Sequence, residues 1–224
     1  RQTIVLSGLA TPEGNALVGR ALNVRGAVKT EFTHRGSIRR VLETVHARQV
    51  FHRLGDGACG SLAEADQARL AYFRDRLLPR LLATGQTHTL VLVPSYLQFV
   101  QLRSLLNREE ASWQECTEYS SVTQVSHARS SLFHGRCDLL VMTERFHYYH
   151  RFRLRGVRHI IFYGPPAFGS FYPELVNLLS LGREAGATVT VVYCRLDRLA
   201  LARVVGSARA ERMLTGDRAV HLFA

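Results

Sequence analysis

Residues 138–166 read DLLVMTERFHYYHRFRLRGVRHIIFYGPP. Two apolar runs, DLLVMT and HIIFY, stand at either side of a basic, aromatic segment. Neither run alternates apolar with polar residues, and unbroken apolar strands belong to parallel sheets covered on both faces. The segment between them holds Arg145, Arg151, Arg153, Arg155 and Arg158, with His147, Tyr148, Tyr149 and Phe152 among them. It reads as a loop leaving the carboxyl end of the first strand. In such sheets that edge is where ligands sit. The loop therefore either touches RNA or an acidic partner, or is a solvated connection that happens to be basic.

Outward from this stretch the same alternation recurs. HTLVLVPSY is a strand running into a turn, with Pro94 and Ser95 placed to cap the helix that Phe99, Leu102 and Leu106 mark. WQECTEY comes next as a strand, residues 122–133 as a helix, FYPELVNLL as a helix, TVTVVYC as a strand, residues 195–205 as a helix and AVHLF as the closing run. Upstream, Ser61 and Glu64 have the spacing of a capping box. Leu70, Phe73, Leu77 and Leu81 continue at helical intervals, so a helix is expected over 61–82, bent at Pro79. RQVFH (48–52) and TIVLS (3–7) read as strands, the latter buried, and Thr11-Pro12 opens a helix. Residues 23–40 read as a basic linker with weak strands. Repeated strand–helix units with right-handed crossovers give an α/β three-layer sandwich with a mostly parallel sheet.

The chain has 224 residues, 46% of them hydrophobic, and a formal net charge of +11, with Lys29 the one lysine among 29 basic residues. A basic excess of this size favours a polyanionic partner such as nucleic acid. No apolar run reaches the roughly 18 residues of a membrane span, and the abrupt opening reads as the continuation of a longer chain rather than a signal peptide. Cys59, Cys116, Cys137 and Cys194 form no C-x-x-C pair. His127 and His134 do not complete a metal motif with Cys116 and Cys137, so no metal is expected. Neither G-x-S-x-G, G-x-G-x-x-G nor G-x-x-x-x-G-K-[ST] occurs, so no cofactor or phosphate-cradling loop is expected, and an unrelated Rossmann-like enzyme loses its support.

Taken together these segments resemble the second RecA-like lobe of a superfamily 2 RNA helicase. RQTIVLSGLATPE is similar to the end of such a helicase's first lobe, with Ser7-Gly8-Leu9 where Ser-Ala-Thr is usual. TLVLVPSY resembles the fourth motif, SSLFHGRCDLLVMTERF the approach to the fifth, and VRHIIFYGPP the strand after it. A closer resemblance is to the digestive organ expansion factor family, helicase-like nucleolar proteins associated with the small-subunit processome. RQTIVLSG, VLVPSYLQFVQLRSLL, EYSS, ARSSLFHGRCDLLVMTERFHYYHRFRLRGVRHIIFYGPP and FYPELVN carry it.

The resemblance implies a domain plan. Residues 1–24 are the end of a preceding RecA-like lobe or a linker, 25–86 a linker and the first helix of the second lobe, and 87–224 the lobe itself. It also implies a non-catalytic scaffold in small-subunit (18S) ribosomal RNA processing. The implied partners are pre-ribosomal RNA, a small nucleolar RNA particle and processome proteins, in the nucleolus. The alternative is the second lobe of an active ATP-dependent RNA helicase. Against it, Thr143 and Glu144 stand where the fifth motif has Thr-Asp, but no R-G-x-D comes after them. Aligned on Tyr172, Leu178 and Leu181 occupy the sixth motif's arginine positions, and Arg183 comes two residues late. Arginines there stabilise charge on a transferring phosphate, and leucine offers no donor. The degenerate ATP-site positions are thus Thr143, Glu144, Leu178 and Leu181. Arg145, His147, Tyr148, Tyr149, Arg151, Arg153 and Arg155 are the candidate RNA- or partner-binding residues. The apolar positions Phe171, Leu175, Leu178 and Leu179 recur at helical spacing and are expected to face the core.

Overall fold

The structure, a computed structural model, describes residues 2–7, 12–22, 24, 26–28, 33–55, 57, 59–181 and 186–223, with the side chains of 180 and 181 excepted. Gly8, Leu9 and Arg183 lie outside the described residues. The chain divides into two compact units, Arg1–Thr33 and His34–Ala224.

In the first unit, α1 (Pro12–Arg20) begins at the expected proline, with Glu13 in its first turn and Arg20 in its last. Residues 3–7 are not the buried strand that TIVLS suggested. They form no regular element and belong to no strand of the seven-stranded sheet, with Ile4 and Leu6 exposed. Apolar β-branched residues make strand-like sequence, yet a strand exists only where a neighbour's backbone completes its ladder.

The second unit runs in order through β1 (Arg48–Arg53), α2 (Leu62–Tyr72), α3 (Leu78–Thr84), β2 (Thr89–Val93), α4 (Tyr96–Arg108), β3 (Trp113–Cys116), α5 (Val122–Phe133), β4 (Leu139–Thr143), α6 (Glu144–His150), β5 (His159–Phe162), α7 (Phe171–Val176), β6 (Thr188–Tyr193), α8 (Arg198–Val205), α9 (Ser207–Thr215) and β7 (Val220–Phe223). The strand order is β3-β4-β2-β5-β6-β1-β7. Every pairing is parallel except β1 with β7. Thus the mostly parallel α/β sandwich holds. β1, α2 and α3 precede residue 87 and share one compact unit with the later strands and helices.

Continuous apolar strands produce two cores, one on each sheet face. Leu90, Leu92, Leu140 and Phe162 meet α5, α7, α8 and α9 on one side. Val91, Val93, Val141 and Ile161 meet α2, α3 and α4 on the other. The Ser61–Glu64 capping box forms as expected, with both reciprocal bonds present. The bend assigned to Pro79 takes a specific form. One π turn, Phe73–Leu77, widens the helix just before the proline, and Leu78 N–H reaches back to Phe73 O. Proline cannot donate to the residue 75 carbonyl and crowds it, and the wider turn absorbs both problems.

The expected weak strands of 23–40 are absent among the described residues there. Ser37–Arg40 is instead a 3-10 turn with Ile38 in the core. Ser207 Oγ accepts from His34 N–H, and Ser207 N–H donates to His34 O. Gly36 (φ 89°) and Gly206 (φ 98°) let these backbones touch, since a Cβ on Gly36 would lie 2.6 Å from the Val205 carbonyl carbon.

Candidate nucleic-acid and partner interface

The carboxyl ends of β4 and β5 carry the sequence-predicted residues. The expected loop is partly a helix. Thr143, buried at the end of β4, caps α6 by accepting from Phe146 N–H at 3.2 Å, and Glu144 adds an acid to the first turn. Arg151, at φ 46°, ends the helix in the left-handed region, where its N–H reaches His147 O. Irregular chain then runs from 152 to 158.

Helix geometry splits the candidates into two sets. Phe146 and His147 turn inward, while Arg145, Tyr148 and Tyr149 face water, as do Arg153 and Arg155 further on. His147 is therefore not a surface contact, because its position on α6 points it at the core. Its Nε2 lies 3.3 Å from Glu174 Oε2, and its Nδ1 finds no partner. Burial lowers its pKa, opposed by Glu174, so at neutral pH it is an uncharged ring holding a carboxylate.

Arg151 grips the same carboxylate. Its Nη1 donates to Glu174 Oε1 at 2.6 Å and Oε2 at 2.5 Å, and its guanidinium lies 4.7 Å from the Phe171 ring centre. Arg151 is accordingly committed to joining α6 to α7, although part of its side chain meets solvent. Tyr148 packs on Phe168 at 5.3 Å, and Arg145 lies 6.0 Å from the Tyr149 ring centre. What faces outward is a half-exposed aromatic ledge of Tyr148, Tyr149 and Phe168, edged by Arg145, with Arg153 and Arg155 nearby in the chain.

Three of the four positions expected to be a degenerate ATP site, Thr143, Glu144 and Leu178, carry side chains engaged within the fold. Thr143 Oγ1, besides capping α6, donates to Glu118 Oε2 at 2.7 Å. Glu144 is buried and accepts from Phe168 N–H at 3.3 Å. Burial pushes its carboxyl up to about 7, against the Phe168 and Ala167 amides that draw it down. Tyr172 is buried with its hydroxyl donating to Gln49 Oε1 at 2.7 Å. Phe171, Leu175, Leu178 and Leu179 all lie in the core, as their spacing predicts. The Leu181 side chain lies outside the described residues.

Cys116 and Cys137 are buried while His127 and His134 are exposed. Among the described residues no group of three or more His, Cys, Asp or Glu side chains is placed to hold a metal. Sequence reasoning missed Glu118, Phe168 and Glu174. Glu174 stands 23 residues from the arginine it pairs with, and only the crossover from β5 to α7 brings them together.

Residues 37–223 match the family described as Utp25, C-terminal domain. The chain belongs to the Utp25 family. It is 36% identical over 224 residues to Protein NUCLEOLAR FACTOR 1 of Arabidopsis thaliana, a match covering 100% of this chain and 29% of that protein. To the U3 small nucleolar RNA-associated protein 25 homolog of Rattus norvegicus it is 37% identical over 228 residues, covering 100% and 29%. The Homo sapiens homolog of the same name is 36% identical over 228 residues, covering 100% and 30%. This Utp25-family chain thus spans under a third of the length of these relatives.

Among solved structures, the Escherichia coli DEAD-box protein SrmB, bound to regulator of ribonuclease activity A, superposes with a TM-score of 0.53 at 19% identity. That match covers 70% of this chain and 83% of that one. The C-terminal part of the Fun30 ATPase domain gives 0.51 at 10%, covering 65% and 51%. These likenesses are of fold. They agree with the mostly parallel α/β sandwich read from the strand–helix order and with the RecA-like fold that the motif resemblance implies.

Proposed function

We propose that this chain is a non-catalytic, helicase-like part of a scaffold in small-subunit (18S) ribosomal RNA processing. It acts in the nucleolus, contacting pre-ribosomal RNA, a small nucleolar RNA particle and processome proteins. The relatives' names, nucleolar factor and U3 small nucleolar RNA-associated protein, support the setting. The resemblance to digestive organ expansion factor proteins points the same way. The resemblance assigns residues 1–24 to the end of a preceding RecA-like lobe or a linker and 87–224 to the lobe itself, and β1, α2 and α3 from within 25–86 complete that lobe's sheet and one of its cores.

One observation carries the reading. At the strand ends where a working helicase lobe displays phosphate-contacting groups, this chain turns its polar side chains on itself. Glu174 holds Arg151 and His147, Thr143 caps a helix, and Leu178 is core. What it exposes is Arg145 beside Tyr149, with Tyr148, Arg153 and Arg155 also facing solvent. Guanidinium forks suit phosphate, and exposed phenol rings stack on unpaired bases.

Arg145, Arg153 and Arg155 replaced together by Ala test this in the full-length protein, with Arg151 spared because it braces the fold. RNA affinity is expected to fall for all sequences alike, and the salt slope to shrink by roughly one unit for each phosphate the arginines no longer reach. Unchanged affinity, with no RNA cross-linked to residues 145–155 in the assembled particle, would refute the RNA contact.

A further inference from the structure

The two faces of the sheet are unequally covered, and the strand register shows where. On the α7–α9 side, Leu140, Leu90, Ile160, Val189 and Gln49 lie side by side from β4 to β1, and all five are buried. On the opposite side the adjacent row runs Val141, Val91, Ile161, Thr190, Val50, Leu222. Exposure along it is 0% at Val141 and Val91 and 4% at Ile161, then climbs through half-buried Thr190 and Val50 to 58% at Leu222. The next row repeats the pattern, from buried Val192 through half-buried His52 to Val220 at 52%. Cover by α2, α3 and α4 therefore thins over β6, where Thr190 is half-buried and Val192 still buried, and runs out over β1 and β7.

The strip left open has a definite size and chemistry. Three neighbouring strands span ~10 Å between their outer axes. A helix with its side chains is ~10–12 Å across. The strip thus has the width of the one helix that would finish this layer. Its floor is the methyl-bearing surface of Thr190, Val50, Leu222 and Val220. Its rim is basic in balance. Arg80 stands close enough to His52 and Tyr72 to perturb both, and Arg76 reaches Tyr72. Arg48 is exposed at the amino end of β1, and Asp217 precedes β7.

We propose that this flank is the docking site for an amphipathic helix of a partner protein, one whose apolar stripe is bordered by Asp and Glu. An apolar strip does not suit a phosphate backbone. A second copy of this chain would bring the same arginines to a two-fold contact and set like charges together. The inference is independent of the RNA contact at residues 145–155 and stands if that contact fails.

Two dye-labelled synthetic helical peptides test it. They share one Leu/Val stripe and carry either Glu or Lys at the bordering positions. Titrated into the full-length protein and followed by fluorescence anisotropy, the Glu peptide is expected to bind at least roughly tenfold more tightly. Leu222→Asp should abolish that binding. Leu222 is exposed, so its replacement leaves the core intact, which circular dichroism and the melting temperature verify. The double variant Arg76→Glu/Arg80→Glu should bind the Lys peptide in preference. Failure of both peptides to bind wild-type protein overturns the proposal, whether the strip is closed by the rest of the protein or simply solvated. Equal binding of the two peptides, or binding indifferent to Leu222→Asp, overturns it as well. Self-association that Leu222→Asp removes would assign the strip to a second copy and likewise overturn it.

Discussion

Glu144 is the residue whose environment departs furthest from its sequence-level role. An acid after a strand-end threonine resembles the Thr-Asp of the fifth helicase motif, yet here the carboxyl is buried and accepts from Phe168 N–H, with its pKa raised to about 7. The folded state holds this proton more tightly than the unfolded chain, where the ordinary value is 4.5. Its stabilising share is therefore complete below about 4.5 and is lost as pH rises through about 7. Glu144→Gln keeps an oxygen for the amides and never ionises. It is expected to gain on the wild type above pH 7, by up to ~3 kcal/mol, in urea unfolding compared at pH 5 and pH 8.5. His147 runs the other way, since burial lowers its pKa and it destabilises only as pH falls below its ordinary 6.5, so the alkaline comparison reports Glu144 alone. Leu178 makes the complementary case. It stands where the helicase resemblance puts an arginine, and it is buried in the core just after α7. Leu178→Ala should cost ~2–5 kcal/mol in denaturant unfolding. A neutral result would mean the side chain does not hold the core.

At the scale of elements, α6 and α7 act as one piece because a single carboxylate joins them. Glu174 takes both Arg151 and His147, and Arg151 also lies over Phe171. Arg151→Ala is expected to speed hydrogen exchange of the α6 amides, 144–150, whereas Arg153→Ala, further along the exposed chain, should leave them unchanged. Equal rates in the two variants would remove the brace. The sequence carried much of this architecture and lost the rest for physical reasons. Runs such as LVLV and LLVM admit only a doubly covered strand, so the sheet was legible. The Ser61–Glu64 and Ser95 caps were legible because they act within three or four residues. α6 was hidden among arginines and rings, whereas α9 passed unread after α8 although Ala210, Met213 and Leu214 recur at helical spacing. His147 was misplaced because a basic neighbourhood says nothing about which way each side chain turns. TIVLS was misplaced because its burial depends on a ladder that local sequence cannot supply.

For the whole molecule, the question is whether a helicase-like fold with a +11 charge still turns over ATP. A RecA-like lobe contributes to hydrolysis through side chains that reach a transferring phosphate, and catalysis there is almost entirely positioning and charge stabilisation. Here the strand-end threonine spends its hydroxyl on Phe146 and Glu118, and the next residue's acid is buried with a carboxyl that is protonated for much of the time at neutral pH. The tyrosine used for alignment is sealed in the core, and the leucine six residues later has no donor to offer. Arg151, the arginine at the end of α6, is paired with Glu174, its Nη1 within hydrogen-bond distance of both carboxylate oxygens. Freeing it would break the α6–α7 joint, so the fold opposes its recruitment as a substitute finger. Full-length protein is therefore expected to show no RNA-stimulated ATP hydrolysis that depends on this chain. The measurement is phosphate release with and without RNA, in wild type and in Arg151→Ala and Thr143→Val. Turnover near the ~1–10 s⁻¹ ordinary for enzymes, abolished by either substitution while the fold survives, would restore the catalytic reading. Background hydrolysis indifferent to both substitutions would leave the lobe as a scaffold, its helicase-like threonine and acid serving only to cap and seat a helix.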